Sequence, residues 1–492
     1  MYSDVDGGCC DSSSVAADDE PEVFWIHVLR LQILGTALLW ARLNLFVSEA
    51  KPPFPLRLSL KIQINRITCF TGLSRATAVG YLFLLLLACS VINISSSCSN
   101  GSCQLLDSCS KATDCGTGLY CGNCPALGKT QPFCIRGKAA IPTSVIGGLP
   151  FNKYSWLVTH NSFSIVNAPA LPGVQRLTFY NQEDTVTNQL KNGVRGLMLD
   201  MYDINGDIWL CHSFQGRCFN FTAFQPAINT LREVEAFLNR NPTEIVTIII
   251  EDYVHTPKGL TKLFANAGLN KYWFPVSKMP KKGEDWPTLN EMVRVNHRLL
   301  VFTSVASKEV EEGIAYQWKY LLESEAGDPG VKPGKCPNRK ESQPLNSKSA
   351  SLFLMNYFST FPDEDQACKV HSTPLADMIL TCNKEAGNMM PNFLAVNFYL
   401  RSEGGGVFDD LDSINGQRLC GCNTIAACQP GAPLGSCKNI SIHTPSPAID
   451  NLGSFSGPVE FSGSTSTIYH PNHLIFALFL FPWISSSFLW NR

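Results

Sequence analysis

Two histidines, His160 and His212, each follow a short apolar run, at 156–159 and 208–211. Such a pair can divide the proton work of a displacement at a phosphodiester. The neutral ring takes a proton and the charged ring gives one, each transfer being worth about 10²–10⁴ in rate. Asn161 follows the first histidine, and Asp200 and Glu251 end the apolar runs 196–199 and 245–250. These three offer oxygen atoms, the ligand type a hard cation such as calcium takes, and such a cation would offset charge building on phosphate oxygens. Singly, each has a plain explanation. The chain holds nine histidines, and an isolated aspartate or glutamate more often caps a helix or pairs with a base. Their shared place at the ends of apolar runs sets them apart.

The runs that carry these residues read as strands. Candidates lie at 156–159, 196–200, 208–211, 244–251, 297–302, 352–355 and 392–397. Several are apolar at successive positions, the pattern of strands covered on both faces by helices. Phe224, Ile228, Leu231, Val234 and Leu238 are spaced as one helix face within 223–239. Strand, helix and strand over about 250 residues predict an α/β fold, a TIM-type (β/α) barrel over 150–400 with its site where strands end.

Composition sets the surroundings. Of 492 residues 45% are hydrophobic and 16% charged, the latter below the roughly 25% of soluble domains. A net charge of −2 gives nucleic acid no electrostatic foothold. Twenty cysteines, seven of them between Cys98 and Cys134, predict an oxidising compartment and a small disulfide-held module at 96–140. A zinc module built on Cys121 and Cys124 would need a second close pair that the irregular spacing does not supply.

Secretory signals agree with the cysteines. The apolar stretch from Tyr81 to Cys89, after Arg75, reads as a signal peptide or signal anchor within 71–95, leaving 1–70 as a doubtful extension. Asn93, Asn100, Asn220 and Asn439 begin Asn-x-Ser/Thr sequons. Residues 401–462 read as a cross-linked tail rich in Cys, Gly and Ser. At 463–492 a small polar spacer precedes an apolar tail, shorter than the about 20 residues of a spanning helix. That is the pattern of a GPI-attachment signal, and it places the protein on the extracellular face of the plasma membrane.

Motifs then point to a family. Trp156-Leu-Val-Thr-His160-Asn161-Ser-Phe resembles the first catalytic-histidine strand of phosphatidylinositol-specific phospholipase C enzymes. Gly193-Val-Arg195-Gly-Leu-Met-Leu-Asp200, the later Trp209-Leu-Cys-His212, and Glu251-Asp252 resemble the motifs that follow it. With the cysteine-rich front and the anchor pattern, the chain is similar to the plant-type, GPI-anchored branch carrying the X domain. The resemblance implies that His160 deprotonates the inositol 2-hydroxyl and His212 protonates the leaving glycerol oxygen. It implies calcium ligands at Asn161, Asp200 and Glu251, and includes Arg195, more often structural in the family.

Two departures qualify it. Met198 stands where animal-type enzymes carry an acidic ligand, and Asp200 where metal-free bacterial enzymes carry an arginine, so calcium dependence is left open. The strand at 297–302 lacks lysines that select phosphorylated inositol, which favours phosphatidylinositol or a glycosylated relative over highly phosphorylated headgroups. The expected activity is therefore that of a phosphoric diester hydrolase acting on a phospholipid or related phosphodiester. The alternative is a catalytically silent, GPI-anchored binding protein that keeps the barrel. A glycerophosphodiester phosphodiesterase would show His-Arg-Gly where this chain has His160-Asn161-Ser162.

Overall fold

The structure is a computed structural model that describes residues 42–46, 59–63, 98–213 and 216–439. It divides into two units, 1–96 and 97–492. Of the first, the described part is an antiparallel pair, β1 (Arg42–Phe46) with β2 (Ser59–Gln63). The expected signal segment at 71–95 and the anchor signal at 463–492 lie outside the described residues.

The second unit opens with the cysteine-rich module, a β-ribbon of β3 (Leu119–Cys124) and β4 (Lys129–Arg136). Disulfides Cys98–Cys103, Cys109–Cys121 and Cys115–Cys134 hold it. A fourth, Cys124–Cys368, fastens it to the main domain. All sixteen cysteines among the described residues are paired, which removes the zinc reading. So small a module has little apolar core, and its cross-links stand in for one.

Eight parallel strands follow in ring order: β5 (Trp156–Thr159), β6 (Val194–Ile204), β9 (Val246–Tyr253), β10 (Leu299–Thr303), β11 (Ala315–Tyr316), β12 (Leu321–Glu323), β13 (Leu352–Tyr357) and β14 (Phe393–Val396). Each pairs with its neighbour in sequence, and β14 returns to pair with β5. The exception is β11 and β12, which share no ladder. This is the expected TIM-type barrel with one open seam.

Helices α1 (Val186–Lys191), α2 (Ala227–Arg240), α3 (Gly259–Asn266), α4 (Leu289–Arg294) and α5 (Ser307–Glu311) cover the first strands. Single-turn α6 (Gln317–Tyr320) bridges the seam, and α7 (Glu364–Val370), α8 (Thr373–Glu385) and α9 (Val407–Cys420) complete the layer. The helix at α9 corrects the expected boundary, because residues read as the start of a tail form the last barrel helix. Beyond it, Cys420–Cys428 and Cys422–Cys437 lock the segment that follows.

Two packed layers explain the apolar strands. Leu197, Leu199, Ile248 and Ile250 face the helices, while Val158, Ile249, Phe302, Leu354 and Ala395 fill the ring interior. Side chains on a strand alternate between faces, so each strand must be apolar on both. Where the strands leave the interior core, the inward column ends in polar residues.

Candidate active site

The inward column of β5 runs Trp156, Val158, His160, and that of β6 runs Met198, Asp200. On β9 it ends in Glu251, directly opposite Asp200 in the β6–β9 register. His160, Met198, Asp200, Glu251, Ser304, Glu323 and Arg339 line one pocket at this end of the ring. The sequence thus placed His160, Asp200 and Glu251 together, and the barrel brings them there.

Asn161 joins them through a turn at φ +44°, a left-handed conformation that asparagine tolerates better than most residues. Its side-chain amide faces Asp200. With the nitrogen inward it donates to Oδ1 at 3.0 Å and Oδ2 at 3.3 Å. With the oxygen inward, three acceptors would meet in a dry space, an arrangement that only a cation can hold. Burial, and then the charge of Glu251, push the Asp200 carboxyl well above its usual range. Tyr253 donates its hydroxyl to Glu251, and its ring stacks on Tyr202 at 4.2 Å.

His160 is held from three sides. Its Nδ1 lies 2.9 Å from Asn397 Oδ1 and 3.3 Å from Asn181 Nδ2, and the latter donates to the same Asn397 Oδ1 at 3.0 Å, which fixes that oxygen as the shared acceptor. Nδ1 therefore carries the proton and Nε2 is left as a base. Phe358 stacks on the ring at 3.7 Å and 3°. Burial lowers the His160 pKa to about 3, against the opposing hydrogen bond to Asn397, so the ring is neutral at pH 7.

His212 arrives by a different route from the one its sequence suggests. The run 208–211 is not a barrel strand. It is β7 (Asp207–Cys211), which returns antiparallel from the extended end of β6 and pairs onward with β8 (Ala223–Pro226). By the register of the hairpin His212 comes back level with Leu199 and Asp200, beside the pocket and not among the residues that line it. Its backbone is tied to Thr222 and Thr178, its Nδ1 sits 3.3 Å from the Phe179 carbonyl, and Cys211–Cys218 closes the loop around it. Burial lowers its pKa, opposed first by the Phe179 carbonyl and then by the charge of Glu251.

Arg195 does not join the site. One face of β6 carries Met198 and Asp200, and Arg195 lies on the other, near the start of the strand. There its Nε donates to Glu244 at 2.7 Å and its Nη1 to the carbonyls of Leu190 and Val194. Five residues of strand put it about 16 Å from Asp200. It staples β6 to the helices.

Sequence reasoning passed over Asn397, Glu323 and Arg339. Asn397 ends the run 392–397 and was findable by the rule that found Asp200. Glu323 ends a three-residue strand and Arg339 lies in a loop, and neither leaves a periodic signal.

The PI-PLC X 1 family model matches residues 157–407, about half of the chain and the whole of the ring. A PI-PLC X domain-containing protein of Arabidopsis thaliana is 69% identical over 413 residues, covering 83% of this chain and 96% of the relative. The chain belongs to the PI-PLC X domain family. Two Arthroderma benhamiae proteins are more distant. One named as an uncharacterized secreted protein is 25% identical over 50% of this chain and 60% of its own length. The other, PI-PLC X domain-containing protein 1, is 31% identical over 40% of this chain and 64% of its own. The phosphatidylinositol-specific phospholipase C of Listeria monocytogenes superposes with a TM-score of 0.36 at 16% identity, over 55% of this chain and 94% of that one. Membership rests on the family model and the Arabidopsis relative. Among the described residues of this X-domain protein, no helix is long and apolar enough to cross a membrane.

Proposed function

We propose that this X-domain protein is a phosphoric diester hydrolase that cleaves phosphatidylinositol or a related inositol phosphodiester by acid–base catalysis. The observation that carries the reading is the His160–Asn397 pair, which presents a neutral imidazole with Nε2 free beside a pair of carboxylates. Nε2 takes the proton of the inositol 2-hydroxyl as that oxygen attacks phosphorus. His212, charged once the negative diester is bound beside it, returns a proton to the departing glycerol oxygen. The products are a cyclic inositol phosphate and diacylglycerol.

Asn161, Asp200 and Glu251 would hold calcium. The fit is in the donor set: two abutting carboxylates, with Asp200 strained toward protonation, and an amide oxygen able to turn inward. A bound cation would supply positive charge to the phosphate oxygens. Met198 lines the same pocket as a thioether, a poor ligand for a hard cation, so the protein offers three ligands and the diester or water completes the set.

In the same reading a signal segment and a GPI anchor hold the protein on the outer face of the plasma membrane, where phospholipid is at hand. The sequence patterns at 71–95 and 463–492 and the paired cysteines support it. A catalytically silent binding protein is the second reading, favoured by the ligand lost at Met198.

The test is purified protein on phosphatidylinositol, with calcium or with chelator, beside an H160A/H212A double variant. Cyclic inositol phosphate from the wild type alone is the expected result. Its absence in both conditions would turn the conclusion to the silent binding protein.

A further inference from the structure

We propose that Arg339 is the residue that grips the phosphate of the ligand, its guanidinium closing the pocket opposite the carboxylates. The inference deepens the phosphodiester reading and rests on it. Arg339 is the sole lysine or arginine among the residues lining the pocket of His160, Asp200 and Glu251. Burial works against its charge, but Glu323 and then Glu251 outweigh it and raise the Arg339 pKa.

Its placement is built. The segment 337–339 folds back on the end of β12: Glu325 N donates to Pro337 O at 2.8 Å and Arg339 N to Glu323 O at 3.0 Å. Three residues earlier, Cys336 is bonded to Cys382 on α8, which pins the base of the loop. The guanidinium lies over Trp318 at 5.3 Å, and its Nη1 meets Glu323 Oε1 at 3.3 Å.

A purely structural ion pair would look different. Glu323 is fully buried and already accepts from Gln317 at 2.7 Å, Trp318 at 2.6 Å and Asn356 at 2.9 Å, so neutral donors satisfy most of it. Arg339 meets it with one prong at long range, and its Nε reaches Glu341 at 3.2 Å. Nη2 makes no hydrogen bond among the described residues. A partly exposed guanidinium with an open prong, set over a pocket that holds a base, suits the two non-bridging oxygens of a phosphodiester. Charge on those oxygens grows as phosphorus is attacked, so a fixed guanidinium there favours the transition state over the ground state.

The experiment titrates the full-length protein at fixed calcium with myo-inositol 1-phosphate and, as neutral control, myo-inositol. It also measures phosphatidylinositol turnover, in wild type, R339M and R339K. R339M is expected to weaken inositol 1-phosphate by about 10-fold or more while leaving myo-inositol unchanged, and to lower kcat about 10²-fold. R339K keeps a cation over Trp318, and with it the fold, and should fall between. Wild type that binds the phosphate through Arg339 without cleaving lipid supports this inference and sinks the hydrolase. Equal phosphate binding in R339M and wild type, or equal turnover where the wild type does cleave lipid, overturns the inference and leaves the hydrolase standing. A wild type blind to the phosphate overturns it as well.

Discussion

At the scale of single residues, the site is governed by which nitrogen or oxygen is committed elsewhere. Asn397 commits Nδ1 of His160, so N397A should lower kcat about 10–100-fold with little change in KM, because the ring loses its tautomer and orientation but not its place. N397D puts a carboxylate against the same nitrogen and raises the His160 pKa, so the acid limb of the pH–rate profile should move upward. Asp200 and Glu251 make the opposite point, two carboxylates side by side, Asp200 pushed well above its usual range by burial and then by Glu251. If they hold calcium, D200N should abolish the calcium response of turnover, read by titrating the metal against activity, while the melting temperature is kept or raised by removing the buried charge. Asp200 and Glu251 were legible because an apolar run ended in each. Arg195 came with the family resemblance and not from the end of an apolar run, and it sits at the start of β6, where the register against β5 shifts, turned toward Glu244 and Phe237.

Elements decide how close the strands come and how the rim is assembled. Gly196 lies where β5 and β6 approach, and a Cβ there would meet Val158 Cγ2 at 2.5 Å. G196A should therefore cost about 1–3 kcal/mol by forcing the two strands apart, measured by denaturant unfolding. His160 and Asp200 would separate with them, so turnover should fall further than stability explains. The β6–β7 hairpin shows why the second histidine could be found but its setting could not. The run 208–211 has the composition of a strand, and composition does not distinguish a barrel strand from one that doubles back. The helix at α9 was hidden in the same way, because the Cys, Gly and Ser content of 401–462 as a whole masks Phe408, Leu411 and Ile414, which the helix buries.

For the whole molecule, the fold class and ring were readable because six of the eight ring strands write apolar runs, whereas β11 and β12, two and three residues long, and cross-links between distant segments write nothing. Cys124–Cys368 spans 244 residues, and chain-entropy arguments give about 5 kcal/mol for closing such a loop. Its replacement by serines should lower the melting temperature and loosen the module while the ring stays folded. A second global property is pH dependence. Burial, opposed by Arg401, raises the Glu183 pKa to about 8. Between 4.5 and 8 the folded protein then keeps a proton that the unfolded chain has released, so stability falls as pH rises through that window. His160, near 3, and His371, lowered to about 4 by burial, act in reverse. Unfolding lets them take up protons, so stability falls as pH drops below 6.5. Above 6.5 the histidines no longer contribute, and E183Q should flatten the decline in melting temperature from there to pH 8.

A ring joined everywhere by backbone ladders resists dilation like a hoop, but between β11 and β12 this one fastens like a buckle. The clasp is made of side chains, Gln317 and Trp318 just beyond β11 donating to Glu323 at the end of β12, and it can be undone without breaking a strand pair. The girth of the mouth is thus adjustable, and a substitution at Gln317 would change the size of headgroup admitted while sparing His160, Asp200, Glu251 and Arg339 themselves. Amide hydrogen exchange should map that compliance, with 315–323 exchanging well before 246–253.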